Sequence, residues 1–184
     1  MKRGANVSLT REIPGLSGLV VGVNWNAGSE SALADNLVMA TILCDSESKA
    51  LSDDHFVFFN QLSSPELSVQ KLGEALGNDK EQIEIDLAAV PAEVARIVVL
   101  LYINDGPAQH RTLGQLRSCS VRVLNLRDNA ELVRSEDLAS TLSGETALTL
   151  GEVYRYNGEW KFKVLGQGYA RGIAAIAADY GLAL

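Results

Sequence analysis

The sequence is short of the residues that usually announce a chemistry. Its 184 residues hold two histidines, His55 and His110, and two cysteines, Cys44 and Cys119. There is no His-Glu-x-x-His, no Gly-x-Ser-x-Gly elbow and no Walker loop, which removes the common zinc, serine-hydrolase and nucleotide-hydrolase readings. The cysteines lie far apart and match no metal spacing, so the expectation is two reduced, buried thiols, with a disulfide between them left open. Long apolar runs are missing too. The longest, residues 97–103, is far short of the ~20 residues a membrane helix needs. Lys2 and Arg3 are followed by no signal-type apolar stretch, so the expected location is cytoplasmic. Basic charge is the minority sign: 16 Lys+Arg against 23 Asp+Glu leave a net charge of −7. That balance argues against nucleic-acid binding, which relies on clustered Lys and Arg. Hydrophobic residues make up 47% of the chain, too many for a disordered one. No repeat, low-complexity tract or linker divides it, and residues 1–184 read as one domain.

What is present reads as strands. Residues 7–10 alternate and stop before Pro14-Gly15. Residues 19–23 and 55–59 are apolar and β-branched or aromatic. Residues 37–44 are almost continuously apolar, the pattern of an interior strand. Residues 83–87 alternate strictly, so one face should be buried. Residues 96–103 and 121–126 are further strands. The strongest local signal is Asn157-Gly158, which supplies the two positive φ values of a type I′ turn. A two-residue loop there sets Arg155 opposite Trp160 and Val153 opposite Phe162. One hairpin face then carries Val153, Trp160, Phe162 and Val164, and the other Tyr154, Tyr156, Lys161 and Lys163. Short surface helices are expected over residues 68–76 and 135–142. A C-terminal helix is expected over residues 169–180. There Ile173, Ile176, Ala177 and Tyr180 fall on one stripe, and Gly181 ends it. The expected fold class is mainly β: an antiparallel β-sandwich with short surface helices and a C-terminal helix.

Candidates for catalysis are weak. Ser118-Cys119-Ser120 sits in an apolar strand and reads as buried. His110 beside Asp105 has the composition of a general-base pair but lies in a polar loop. The chain is therefore expected not to be an enzyme. The stretch 166–172 looks like a dinucleotide fingerprint with one residue too many between its last glycines. As a helix entrance beside Arg171 it is an alternative anion site. A hard cation such as calcium needs six to eight oxygens, usually several of them carboxylates. Acidic patches occur at Asp35-Asn36, at Asp45, Glu47, Asp53 and Asp54, and at Asn78-Asp79-Lys80-Glu81 with Glu84 and Asp86 beyond. None has EF-hand spacing.

Residues 151–169, Gly-Glu-Val-Tyr-Arg-Tyr-Asn-Gly-Glu-Trp-Lys-Phe-Lys-Val-Leu-Gly-Gln-Gly-Tyr, resemble the C-terminal signature of the TerD family of tellurium-resistance and stress-response proteins. Asn6-Val7-Ser8-Leu9 with Pro14-Gly15-Leu16 is similar to a family block. So are Phe56-Val57-Phe58-Phe59-Asn60-Gln61 with Ser64-Pro65, Leu113-Gly114-Gln115-Leu116-Arg117 with Val121-Arg122-Val123, and the ending from Ile173 to Gly181. The resemblance covers nearly the whole chain. It implies a cytoplasmic bacterial β-sandwich that binds calcium at one end and has no established catalytic activity. It also implies partners among other stress-resistance proteins, and it gives no oligomeric state.

The departures fall on the metal. Family members carry Asp-x-Asp-Leu-Asp-Ala where this chain has Ala34-Asp35-Asn36-Leu37-Val38-Met39. The second acidic loop is shortened to residues 73–81, and Lys80 brings a positive charge into it. The implied oxygen donors are Asp35, Asn36, Asn60, Asn78, Asp79 and Glu81. With so few carboxylates, any calcium site should be weak. The competing expectation is a metal-free TerD-like scaffold or interaction subunit of a stress-response complex.

Overall fold

The computed structural model describes residues 1–104 and 109–184. Its strands are β1 (Asn6–Ser8), β2 (Gly18–Asn26), β3 (Leu37–Cys44), β4 (Phe56–Val57), β5 (Val69–Lys71), β6 (Glu81–Asp86), β7 (Arg96–Ile103), β8 (Ser118–Asn125), β9 (Glu131–Arg134), β10 (Ala147–Tyr156) and β11 (Glu159–Tyr169). The helices are α1 (Leu9–Glu12), α2 (Ser31–Ala34) and α3 (Ile173–Asp179). The strands form two antiparallel sheets, one six-stranded in the order β1-β11-β10-β7-β3-β4 and one five-stranded in the order β5-β6-β2-β8-β9. No helix among the described residues is long and apolar enough to cross a membrane.

The sequence pattern explains which strands are central. Along β7, Ile97, Val99, Leu101 and Ile103 enter the core between the sheets, while Val98, Leu100 and Tyr102 enter a second core on the opposite face. Strand β3 divides the same way, with Met39 and Leu43 on one side and Val38, Ala40 and Ile42 on the other. A strand buried on both faces loses its polar alternation, hence the continuous apolar runs. The cover on the outer face is α3, whose Ile176 and Ala177 are buried there with Ile173 and Tyr180 beside them. The stripe expected at the C-terminus therefore packs as a stripe. The helix is shorter than expected because residues up to Tyr169 still belong to β11. Gly181, at φ 73°, follows its end.

The β10–β11 hairpin has the anticipated register, Val153 opposite Phe162 and Arg155 opposite Trp160. Asn157 and Gly158 carry φ values of 51° and 77°. Arg155 lies over the Trp160 ring at 4.5 Å, and its guanidinium donates to the carbonyls of Val90, Pro91 and Val94. A bulge between Thr149 and Gly151 changes the facing of β10. Leu148 points into the core before it, Leu150 at the bulge itself, and Val153 after it.

Two expected helices are absent. Residues 69–71 form β5, paired with β6, where Val69 lies opposite Ile85. Burying Val69 against that neighbour outweighs a weak local helical preference. Residues 135–142 instead follow the edge of β8. The Ser135 hydroxyl accepts from the Val121 N–H, and Asp137 Oδ1 accepts from the Cys119 N–H, both at 3.0 Å. These side chains spend themselves on the neighbouring strand rather than on a helix cap. Of the fingerprint-like glycines, Gly166 and Gly168 lie within β11, where Arg3 Nε donates to the Gly166 carbonyl, and Gly172 alone stands at the entrance of α3 as its N-cap.

Candidate functional site

Antiparallel pairing gathers one end of the sandwich from distant parts of the chain. Strand β2 finishes there at Asn26, and β6 and β8 begin there at Glu81 and Ser118. On the outer face of the five-stranded sheet, Gln82, Gly22 and Arg122 stand side by side in one cross-strand row. The absent side chain of Gly22 leaves a seat, and the Asp79 carboxylate fills it. A Cβ on Gly22 would come within 2.0 Å of Asp79 Oδ2. Arg122 Nε donates to both Asp79 oxygens at 2.9 Å, and Gln82 Nε2 donates to Oδ2 at 2.7 Å. The Asp79 side chain is only 3% exposed.

Glu81 pairs with Val23 and so faces the opposite way, inward between the sheets. Its Oε1 accepts from Lys71 Nζ at 2.7 Å, and its Oε2 accepts from the backbone N–H of Met39, also at 2.7 Å. Lys71 is itself 9% exposed in its side chain. Burial, with the Glu81 charge second, pushes the Tyr102 phenol up to about 12.

The other expected oxygen donors are dispersed. Asp35 is exposed at the end of α2. The Asn36 amide donates to the Ala32 carbonyl at 2.7 Å, and the Asn36 carbonyl receives the Asn104 N–H. Asn60 is exposed in a separate turn closed by backbone bonds between Phe58 and Gln61. Asn78 lines a cleft together with Lys80. Of the six, Asp79 and Glu81 are brought to the same strand end but on opposite faces of the sheet, each already matched to a cation. The second acidic stretch caps turns: Asp45 Oδ1 accepts from the Glu47 and Lys49 N–H groups, and Asp53 Oδ1 from Ala183. Among the described residues, no three His, Cys, Asp or Glu side chains are grouped to hold a metal. A hard dication needs several free carboxylate oxygens, and this donor set, neutralised by Arg122 and Lys71, does not fit one.

Sequence reasoning missed Arg122, Lys71 and Gln82, which decide the state of both acids. The one available signal was Gly22 in an apolar strand, since an isolated strand glycine often marks a close approach. Of the Ser118-Cys119-Ser120 run, expected to be buried, Cys119 is buried and Ser118 is exposed. Burial, with adjacent carboxylates next, pushes both the Cys44 and Cys119 thiols up to about 12. His55 bridges Ser52 Oγ at 2.7 Å and Glu66 Oε2 at 3.1 Å. The proposed partner of His110, Asp105, lies outside the described residues.

Comparison with known proteins gives this geometry a lineage. The family model for the TerD domain matches residues 1–180. The tellurium resistance protein TerD of Serratia marcescens is 38% identical over 187 residues, covering 99% of this chain and 96% of its own. General stress protein 16U of Bacillus subtilis is 40% identical with the same coverage of both chains. A crystal structure of a TerD homologue from Streptomyces coelicolor A3(2) superposes with a TM-score of 0.66, covering 89% of this chain and 96% of that one. At 20% identity, it is a likeness of fold. The two-sheet sandwich, its C-terminal helix and the match along nearly the whole chain place this protein in the TerD family.

Proposed function

We propose that this protein is a non-enzymatic, cytoplasmic member of a bacterial tellurite and chemical-stress response, and that it works as a metal-free interaction subunit. The stress assignment draws on the relatives, which carry the names tellurium resistance protein and general stress protein. The metal-free assignment rests on one observation: the carboxylates at the sandwich end are held by the chain's own cations, Asp79 by Arg122 and Glu81 by Lys71. The Arg122 guanidinium, whose Nε–H is shared by both Asp79 oxygens, supplies charge and hydrogen bonding that a dication would otherwise bring, without the cost of assembling further oxygens. Two free, buried cysteines suit a reducing compartment.

The test has two arms. Thermal unfolding in excess calcium and in excess chelator should give the same midpoint, and calorimetric titration with calcium should be silent. A saturable heat and a raised midpoint would restore the calcium reading, because a ligand that binds only the native state stabilises it. For the cellular role, a strain lacking the gene should be more sensitive to tellurite, and sensitivity equal to wild type would remove the stress assignment.

A further inference from the structure

The same end of the sandwich carries a cleft whose chemistry is the reverse of a cation site. It occupies about 580 Å³ between the end of β2, the loop before β6 and the start of β8. That is within the usual range for a small-molecule site of roughly 300–1,000 Å³. Its polar lining consists of Asn24, Asn26, Asn78, Ser118 and Lys80, with no carboxylate among the lining residues. Most pockets of this size are chiefly apolar, so this one suits a polar guest.

The polar groups are available. Asn26 Oδ1 accepts from the Gly28 N–H at 2.8 Å, which leaves its NH₂ group to donate. Among the described residues, the side chains of Asn24, Asn78, Ser118 and Lys80 have no hydrogen-bond or ion-pair partner, whereas Asp79 and Glu81 on either side of Lys80 are both matched. Arg117 adds a second cation at the rim. Its guanidinium lies across Gly28, where a Cβ would come within 2.6 Å of Nε. Glycine at φ 57° both forms that turn and admits the side chain. On a chain of net charge −7, a cleft lined by Lys80 and no carboxylate, with Arg117 beside Gly28, is a locally favourable place for an anion.

We propose that this cleft binds a small phosphate ester, with Lys80 and Arg117 on the phosphate and the asparagine amides on the hydroxyls. A bare phosphate would fill only part of the volume. The remaining wall sets the amides of Asn24, Asn26 and Asn78 and the Ser118 hydroxyl beside Trp25, Ala27, Gly28 and Ala34, polar groups that suit the hydroxyls of a sugar phosphate and an apolar side that suits its carbons. The inference uses side chains other than the Asp79 and Glu81 pairs, and of the six expected calcium donors it shares only Asn78.

The test is a titration of isotope-labelled protein with ribose 5-phosphate, inorganic phosphate and ribose, followed by amide chemical shifts. Ribose 5-phosphate should give saturable shifts at Asn26, Asn78, Lys80 and Ser118, should bind more tightly than inorganic phosphate, and ribose alone should give none. Lys80→Glu should weaken binding at least roughly tenfold, with Lys80→Arg restoring most of it. Lys80 is exposed, so the thermal midpoint of Lys80→Glu should match wild type and show that the fold is intact. Unsaturable shifts, wild-type affinity in Lys80→Glu, or inorganic phosphate binding as tightly as the ester would each overturn the proposal.

Discussion

Replacing Arg122 with Met is the sharpest probe of how the sandwich end is held. Methionine keeps the unbranched stem and its packing, so the change isolates the loss of the guanidinium. What remains is an Asp79 carboxylate with a 3% exposed side chain, held by Gln82 alone. Removing one partner of a buried pair costs about 3–5 kcal/mol, because the other charge stays out of water without compensation. The Arg122 side chain is 18% exposed, so some water reaches the gap and the lower end, about 3 kcal/mol, is expected. For a protein of this size, each kcal/mol shifts the midpoint by about 2–4 °C, giving a fall of roughly 6–12 °C. Equilibrium urea unfolding, with an unchanged m-value, provides the free energy directly. The double variant Asp79→Asn with Arg122→Met removes both charges while keeping the contact with Gln82. It should lie within about 1 kcal/mol of wild type. A single variant costing less than about 1 kcal/mol, or a double variant as unstable as the sum of the singles, would refute the account of a buried charge pair seated on Gly22.

Other outcomes follow from the same geometry. Gly22→Ala drives a Cβ to within 2.0 Å of Asp79 Oδ2 and should cost about 1–3 kcal/mol in urea unfolding. In an Asp79→Ala background the same substitution should be nearly neutral, and an equal cost in both would show that Asp79 is not the obstacle. Cys44 and Cys119 should not react with a thiol reagent at neutral pH until denaturant is added, since burial pushes both thiols up to about 12; rapid labelling of the native protein would contradict this. Glu131 sits below the ordinary carboxylate range, chiefly through its hydrogen bond from Arg134. A folded-state pKa below the unfolded one adds stability that is present above about 4.3 and is lost as pH falls through the folded value. Arg134→Gln should therefore flatten the acid limb of stability against pH, by well under about 1 kcal/mol because the pair is exposed. An acid limb as steep as wild type would show that the Glu131 pair contributes nothing.

The parts of this molecule written in short-range pattern were readable in advance. Asn157-Gly158 set the hairpin register, and the apolar runs at residues 37–44 and 97–103 marked strands buried on both faces. The parts that depend on distant partners were not. Residues 68–76 carry no feature that distinguishes a surface helix from the edge strand that Ile85 stabilises. The candidate site shows the same limit. Asp79 and Glu81 look like free carboxylates in the sequence, and what neutralises Asp79 is a residue 43 positions away. The alternation of β6 and the pairing of β8 decide that Arg122 reaches one acid and Lys71 the other. The Lys80 departure was visible, but the cleft around it exists only once β2 and β8 are paired.

The outermost strands have a consequence for how the protein behaves when crowded. Both edges of both sheets are short: β1 has 3 residues, β4 has 2, β5 has 3 and β9 has 4. The interior strands run from 6 residues in β6 to 11 in β11. An unpaired strand edge is a template on which another chain can polymerise, and the template weakens as it shortens. Here each outermost strand is a stub that pairs with its longer neighbour over only two or three residues. A stub of this length is a poor template for edge-to-edge pairing with a second chain.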